Sequence, residues 1–118
     1  HPVATAAGLA SLELLERDNL IQQAAELAPY FEQAIHGLRQ ARHVVDIRNA
    51  GLSGAIQLAP RDGDPAIRPF EAGLALWKKG FYVRFGGDTL QFGPPFNTAR
   101  QDLDRLFDAV GDTLNTVA

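Results

Sequence analysis

The sequence predicts an α+β fold in which helices pack against a small, mainly antiparallel sheet of about four strands. Two observations support this prediction. Apolar residues recur at helical spacing in four segments, and they alternate with other residues in four shorter segments. In chain order these segments are two helices, two strands, one helix, two strands and a final helix. A chain of 118 residues has room for one hydrophobic core, so we expect residues 1–118 to form a single domain.

The first two segments are predicted to be helical. Pro2 suits the first turn of a helix, and an alanine-rich stripe with Leu9, Leu12 and Leu15 continues to about Glu16. Apolar residues then recur at alternating steps of four and three, which predicts a second helix with one buried face. The residues of this second stripe are Leu20, Ala24, Leu27, Phe31, Ala34 and Leu38.

Two hairpins are predicted from alternation and turn residues. Residues 45–47 and 52–58 alternate as strands do, and the Asn-Ala-Gly between them accepts the backbone angles of a tight turn. Residues 81–85 and 89–92 form a second pair around Gly-Gly-Asp. Consecutive prolines end the second pair because they remove donors from the ladder.

A third helix is predicted to lie between the hairpins. Pro69 can begin it, Phe70, Leu74 and Trp77 are expected to face the core, and Gly80 stops it.

The last predicted helix begins with a capping box, in which the Thr98 side chain caps the helix and Gln101 reciprocates. Its apolar stripe is Leu103, Leu106, Phe107, Val110 and Leu114.

Composition excludes several classes of protein. The 14 acidic residues and 11 lysines and arginines are interleaved and give a net charge of -3, so no basic surface for nucleic acid is expected. No apolar run approaches the roughly 20 residues that span a bilayer. The absence of cysteine rules out disulfides and thiolate metal sites and fits a cytoplasmic location. Because the chain begins His-Pro and contains no Met, we expect it to be a piece of a longer polypeptide.

Arg84 is the strongest candidate for a binding residue. It lies on a predicted strand and is followed closely by Gly86 and Gly87, which would let a ligand approach the backbone. Its planar guanidinium matches a carboxylate in a bidentate pair. On spacing alone, however, an arginine on a strand is more commonly a solvated surface residue.

Other candidate sites are weak. The three histidines, His1, His36 and His43, do not have the spacing of metal ligands. The only serines, Ser11 and Ser53, have no evident histidine or acid partner, which disfavours a nucleophilic hydrolase. We therefore expect no catalytic residue and no metal site in these 118 residues.

Three segments resemble the small, C-terminal domain of class III aminotransferases. Residues 1–10 (HPVATAAGLA) resemble the start of the family's first small-domain helix. Residues 45–54 (VDIRNAGLSG) resemble its first hairpin, and residues 80–96 (GFYVRFGGDTLQFGPPF) resemble its arginine-containing segment. The third segment is the most specific and is similar to the omega-amino acid:pyruvate (beta-alanine:pyruvate) branch. The resemblance covers essentially the whole chain.

The resemblance implies a domain of a fold-type I enzyme that transfers an amino group from an omega-amino acid or amine to pyruvate through pyridoxal phosphate. It implies that Arg84 binds the substrate carboxylate and that the helix from Pro2 approaches the cofactor phosphate of a neighbouring subunit. The implied partners are the enzyme's own large domain and a second subunit, in a homodimer or a dimer of dimers. The surface that meets the large domain should be unusually apolar.

The chain also departs from what a complete enzyme of this family needs. Its only lysines, Lys78 and Lys79, stand at a predicted helix end and lack the setting of the lysine that holds pyridoxal phosphate. We therefore expect this chain alone to contain no cofactor-binding residue and to be inactive. The alternative is a free-standing α+β module for binding an anionic metabolite or for dimerisation, with no catalytic role.

Overall fold

The computed structural model describes all 118 residues, from His1 to Ala118. It confirms the predicted order of helices and strands. The helices are α1 (Pro2–Arg17), α2 (Leu20–His36), α3 (Ile67–Lys78) and α4 (Arg100–Thr116), with a short 3-10 helix at Gly37–Gln40. The strands are β1 (Val44–Ala50), β2 (Ser53–Leu58), β3 (Arg84–Gly86) and β4 (Thr89–Phe92).

The four strands form one antiparallel sheet in the order β1-β2-β4-β3. This confirms the predicted sheet and both predicted hairpins. The first turn is tighter than predicted, because Ala50 still pairs with Ser53 and the chain reverses at Gly51 and Leu52. Gly51 has a φ of 56°, which glycine adopts without steric cost. The second hairpin closes in the same way, with Gly87 at a φ of 56°.

Helices α2, α3 and α4 cover one face of the sheet and enclose the core. Phe107 of α4 meets Phe31 of α2 edge to face, with ring centroids 5.6 Å apart, and lies 5.4 Å from Phe92 of β4. Apart from Leu20, the residues of the stripes predicted for the second and fourth helices do face this core. Full burial of one such side chain contributes roughly 2–3 kcal/mol. The large side chains with almost no exposure are Phe31, Ile35, Ile56, Leu58, Leu76, Leu90, Leu103, Val110 and Leu114.

The prediction for α3 is wrong about its buried face. Phe70 and Leu74 are about half exposed, and Trp77 is 64% exposed. The residues that α3 buries are instead Arg68, Pro69, Ala72, Gly73 and Leu76. Both sets recur at helical spacing, but small residues allow the helix axis to approach the sheet more closely, so the large residues lie on the outer side.

Two local predictions are also wrong. Thr98 does not cap α4, because its hydroxyl donates to the Pro95 carbonyl at 2.7 Å and the N-cap position is occupied by Ala99. The same Pro95 carbonyl also accepts from the Thr98 backbone N–H at 3.1 Å, in a turn just before the helix. Strand β3 is shorter than predicted and begins only at Arg84.

Helix α1 buries none of its residues. It has the predicted bounds to within one residue, and the helix that it contacts most is α2. Val3, Leu9, Leu12 and Leu14 are all exposed on it. No helix of the fold combines the length and the apolar character needed to cross a membrane.

Candidate functional site

The face of the sheet opposite the helices is uncovered, and Arg84 lies on it. Side chains alternate between the two faces of a strand, and the register places Arg84 beside Gln91, and Gln91 beside Ala55. Ala55 in turn pairs with Arg48 of β1. One row of side chains thus crosses all four strands on this side, which we call the open face.

A groove of about 720 Å³ runs over the open face. Its lining comes from all four strands and from the residues that flank β3 and β4. The residues that line it are Arg48, Asn49, Ala50, Ser53, Gly54, Ala55, Tyr82, Arg84, Thr89, Gln91, Phe92 and Gly93. The predicted binding residue therefore lies in a concave surface with several polar groups, the kind of place where small ligands bind.

Arg84 is the unpaired cation of this groove. Its side chain is exposed and takes part in none of the ion pairs of the structure. Arg48, at the other end of the same row, donates to Asp46 Oδ2 at 3.0 Å and to Gln57 Oε1 at 3.4 Å. A guanidinium without an acid partner retains its full capacity to bind a carboxylate from outside the chain. Of the two arginines in the groove, Arg84 is therefore available to bind such a carboxylate, whereas Arg48 is already paired with Asp46.

The hairpin around Arg84 is held by polar contacts at its closed end. Thr89, although buried, donates its hydroxyl to the Gly86 carbonyl at 2.9 Å. Asp88 in the turn accepts a hydrogen bond from Gln57 Nε2 at 2.8 Å, which ties the hairpin to β2. These bonds fix the strand that carries Arg84 while its side chain stays free.

No three His, Asp or Glu side chains cluster in a way that could hold a metal ion. His36 Nε2 lies 2.9 Å from Asn49 Oδ1 and links α2 to β1. His43 Nε2 lies 3.2 Å from the Val117 carbonyl. Both imidazoles therefore have partners within the fold.

Sequence reasoning missed the other polar residues of the groove, above all Gln91 and Thr89. Alternation within β4 predicts that Thr89 and Gln91 share one face of the sheet. Whether Arg84 lies on that same face depends on the pairing of β3 with β4. The pattern within each strand did not specify that register.

Comparison with known proteins identifies the family of this chain. The model of the class III aminotransferase family matches residues 1–114. The chain belongs to the class III aminotransferases. Enzymes of this family depend on pyridoxal phosphate.

Two curated class III relatives match the chain almost from end to end. The beta-alanine–pyruvate aminotransferase of Pseudomonas aeruginosa is 70% identical over 118 residues, which is all of this chain and 26% of that protein. The omega-amino acid–pyruvate aminotransferase of Pseudomonas putida is 71% identical over 115 residues, which is 98% of this chain and 26% of that protein. The chain thus spans about a quarter of the length of these relatives.

Solved structures show the same fold. A transaminase solved with L-alanine superposes with a TM-score of 0.90 at 29% identity, covering 98% of this chain and 28% of that chain. The fold is therefore one found in the fold-type I transaminases.

Neither lysine of this chain is placed to attach pyridoxal phosphate in the groove. The cofactor of these enzymes requires a lysine amine for covalent attachment. Lys78 and Lys79 are the only lysines, and both lie at the C-terminal end of α3. Lys79 Nζ points toward the Ala109 carbonyl at 3.4 Å, and neither lysine lines the groove. The groove thus offers guanidinium, amide and hydroxyl groups but no amine for covalent attachment.

Proposed function

We propose that residues 1–118 form the small domain of an aminotransferase that moves an amino group from an omega-amino acid such as β-alanine, or from an amine, to pyruvate. In the full-length enzyme this domain closes over the substrate. Support comes from the 70% identity to a beta-alanine–pyruvate aminotransferase along the entire chain. The same identity favours an enzyme domain over a free-standing binding or dimerisation module.

The single observation on which the site assignment depends is the exposed, unpaired guanidinium of Arg84 in the groove. Arg84 binds the carboxylate of β-alanine or pyruvate through two parallel N–H···O bonds. That pair orients the reacting end of the substrate away from the sheet and toward the rest of the enzyme. Arg84 thus contributes to catalysis by positioning the substrate.

The remaining groups come from outside this chain. The large domain of the full-length enzyme provides the lysine that holds pyridoxal phosphate, and a second subunit completes a homodimer or a dimer of dimers. We place this enzyme in the cytoplasm, in keeping with a chain that contains no cysteine. The exposed apolar residues of α1, including Leu9 and Leu12, belong to surfaces covered by these partners.

Arg84→Lys tests the assignment in a full-length aminotransferase that carries these 118 residues as its small domain. β-Alanine and propylamine form a matched pair of amino donors, because a methyl group in propylamine replaces the carboxylate. A lysine cannot form the bidentate pair, so kcat/KM for β-alanine should fall by about a hundredfold. The value for propylamine should change by less than about threefold in single-turnover half-reactions without pyruvate.

Arg105→Lys is the matched control, since Arg105 lies on the exposed side of α4. This substitution should leave kcat/KM for both β-alanine and propylamine unchanged. Equal losses of kcat/KM for β-alanine and propylamine in Arg84→Lys would contradict the proposal that Arg84 binds the carboxylate. The isolated chain should form no stable coloured adduct with pyridoxal phosphate after dialysis, and a persistent adduct would contradict the placement of the cofactor lysine elsewhere.

A further inference from the structure

The loop between β2 and α3 contains the one place in the sequence where an aspartate or asparagine is followed by glycine. The two residues are Asp62 and Gly63. Both are exposed and lie outside every helix and strand. Gly63 has a φ of 105°, and nothing lies within 4 Å of the position that a β-carbon would occupy there. The backbone at this pair is therefore surrounded by solvent and sterically unhindered.

The side-chain carboxyl of Asp62 and the backbone nitrogen of Gly63 are both unengaged. Asp62 takes part in none of the ion pairs of the structure, and the Gly63 N–H donates to no backbone carbonyl. Attack of this nitrogen on the carboxyl carbon would close a five-membered ring. Because glycine has no side chain, no group next to the nitrogen obstructs that approach.

The other aspartates lack this combination. Asp64 is followed by Pro65, whose nitrogen carries no hydrogen, and its Oδ1 accepts a hydrogen bond from the Ala66 N–H at 2.8 Å. Every remaining aspartate lies within a helix or strand or directly beside one, and precedes a residue with a side chain. Backbone N–H groups in helices and strands are held in hydrogen bonds of the fold. Ring closure is therefore favoured at position 62 alone.

Two anchors hold the loop on either side of the Asp62–Gly63 pair. Arg61 donates two hydrogen bonds to the Glu71 carboxylate of α3, at 2.7 and 3.1 Å. On the other side, the Asp64 carbonyl accepts from the Ile67 N–H at 3.1 Å. Neither anchor uses an atom of the pair itself. The backbone of the pair can therefore rotate while β2 and α3 stay folded, so the reaction needs only a local movement.

We propose that Asp62 is a site of spontaneous isomerisation to isoaspartate. The Gly63 nitrogen attacks the carbon of the protonated Asp62 side-chain carboxyl. A new N–C bond forms, and the hydroxyl leaves with the hydrogen of the nitrogen as water, which gives a cyclic imide. Water then adds to the former backbone carbonyl of Asp62 and breaks its bond to the Gly63 nitrogen.

The product is a chain that continues through the former side chain of Asp62. The former backbone carbonyl becomes an exposed carboxylate on the outside of the loop. One water leaves and one water enters, so the change needs no oxidant, reductant or further reactant. This modification is independent of amino transfer, and its test does not depend on the role of Arg84.

Ageing of the full-length aminotransferase that carries these 118 residues tests the proposal. An isoaspartate-specific carboxyl methyltransferase with radiolabelled S-adenosylmethionine labels the new carboxylate, and peptide mapping locates the label. Label should accumulate at position 62 with time in neutral buffer. Its rate should be within about tenfold of that in a synthetic peptide of residues 58–66, because the folded loop leaves the reacting backbone unrestrained.

Two matched substitutions serve as controls. Asp62→Glu keeps the charge but requires a larger ring, so it should abolish the label at position 62. Asp108→Glu makes the same change at an exposed position of α4 and should leave the labelling at position 62 unchanged. The inference is overturned if position 62 of the folded enzyme acquires no label, if labelling of these 118 residues occurs mainly at another aspartate, or if Asp62→Glu retains the label.

Discussion

Gly73 of α3 lies directly against the ring of Phe85 of β3. A β-carbon at position 73 would be 2.5 Å from Phe85 Cδ1 and 2.9 Å from Cε1, closer than carbon atoms approach one another. The absence of that carbon lets α3 settle onto the strand that carries Arg84. The same ring meets Phe70 edge to face, with centroids 5.5 Å apart. The position of β3 thus depends on a glycine in a helix.

Gly73→Ala should destabilise the chain by about 1 kcal/mol. Overpacking costs about 1–3 kcal/mol, and the higher helix propensity of alanine offsets up to about 1 kcal/mol of it. Urea denaturation monitored by circular dichroism measures the change. Gly8→Ala is the control, because nothing lies within 4 Å of its added carbon, and it should stabilise α1 by up to about 1 kcal/mol. Adding Phe85→Leu to Gly73→Ala should recover stability, and further loss in that double variant would contradict the proposed clash.

Arg68→Met should be the most destabilising change among the arginines. Arg68 is 6% exposed, and its guanidinium donates to the carbonyls of Ala59 and Ala118. Loss of these charged hydrogen bonds leaves two carbonyls without donors and should cost about 3 kcal/mol. Arg105→Met, at a largely exposed position, should change the free energy of unfolding by less than about 0.5 kcal/mol. Urea denaturation of both variants measures the difference, and similar values for the two would contradict a structural role for Arg68.

His43 should make the chain less stable in mild acid. Burial of the imidazole lowers its pKa below the ordinary value of 6.5, and the nearby Arg68 and Arg42 lower it further against the opposing effect of its bond to Val117. Since the unfolded chain then binds the proton more readily, stability present above about pH 6.5 is lost as the pH falls toward the folded-state pKa.

His43→Asn tests this loss, because asparagine also tolerates the φ of 69° at this position. Urea midpoints measured between pH 7.5 and 5 should fall less for the variant than for the original chain. Parallel curves for the two proteins would contradict the role of His43, since all other titratable groups are shared.

Tyr30 should ionise at unusually high pH. Its hydroxyl donates to Asp104 of α4, and this hydrogen bond, followed by burial and the charge of Asp104, raises the pKa of Tyr30 above its usual value of 10.0. A raised pKa means that the contact stabilises the fold below about pH 10 and is lost as the pH rises through the folded-state value. The pKa of Tyr30 is measured by titrating tyrosinate absorbance in the chain and in Tyr30→Phe and taking the difference. Asp104→Asn should bring the transition back toward pH 10, and no change would exclude Asp104 as the cause.

Much of the fold could be predicted because most large apolar residues of α2 and α4 lie on one side of each helix, with Ile21 of α2 as an exposed exception. For α3 the sequence contains two helical stripes, one of large residues around Trp77 and one of small residues around Ala72. Periodicity cannot decide between them, since both have helical spacing. The choice depends on how closely the helix approaches the sheet, which is a property of the whole packing arrangement.

The sequence named one residue of the candidate site, Arg84, and its binding role stays a prediction. The residue type of Arg84 and its neighbouring glycines pointed to anion binding, and the structure places it in the main groove. Its freedom from ion pairs depends on contacts between strands distant in sequence, such as Gln57 with Asp88. The placement of Gln91 beside Arg84 likewise depends on register, which the alternation in one strand does not determine.

Helix α1 buries no side chain, so almost none of its stability comes from the core. An isolated helix of 16 residues is only marginally stable in water. In the chain by itself, residues 2–17 should therefore open independently of the cooperative unit formed by α2, α4 and the sheet. Their amide hydrogens should exchange with solvent orders of magnitude sooner than those of α4, and any protein that covers α1 would slow that exchange selectively.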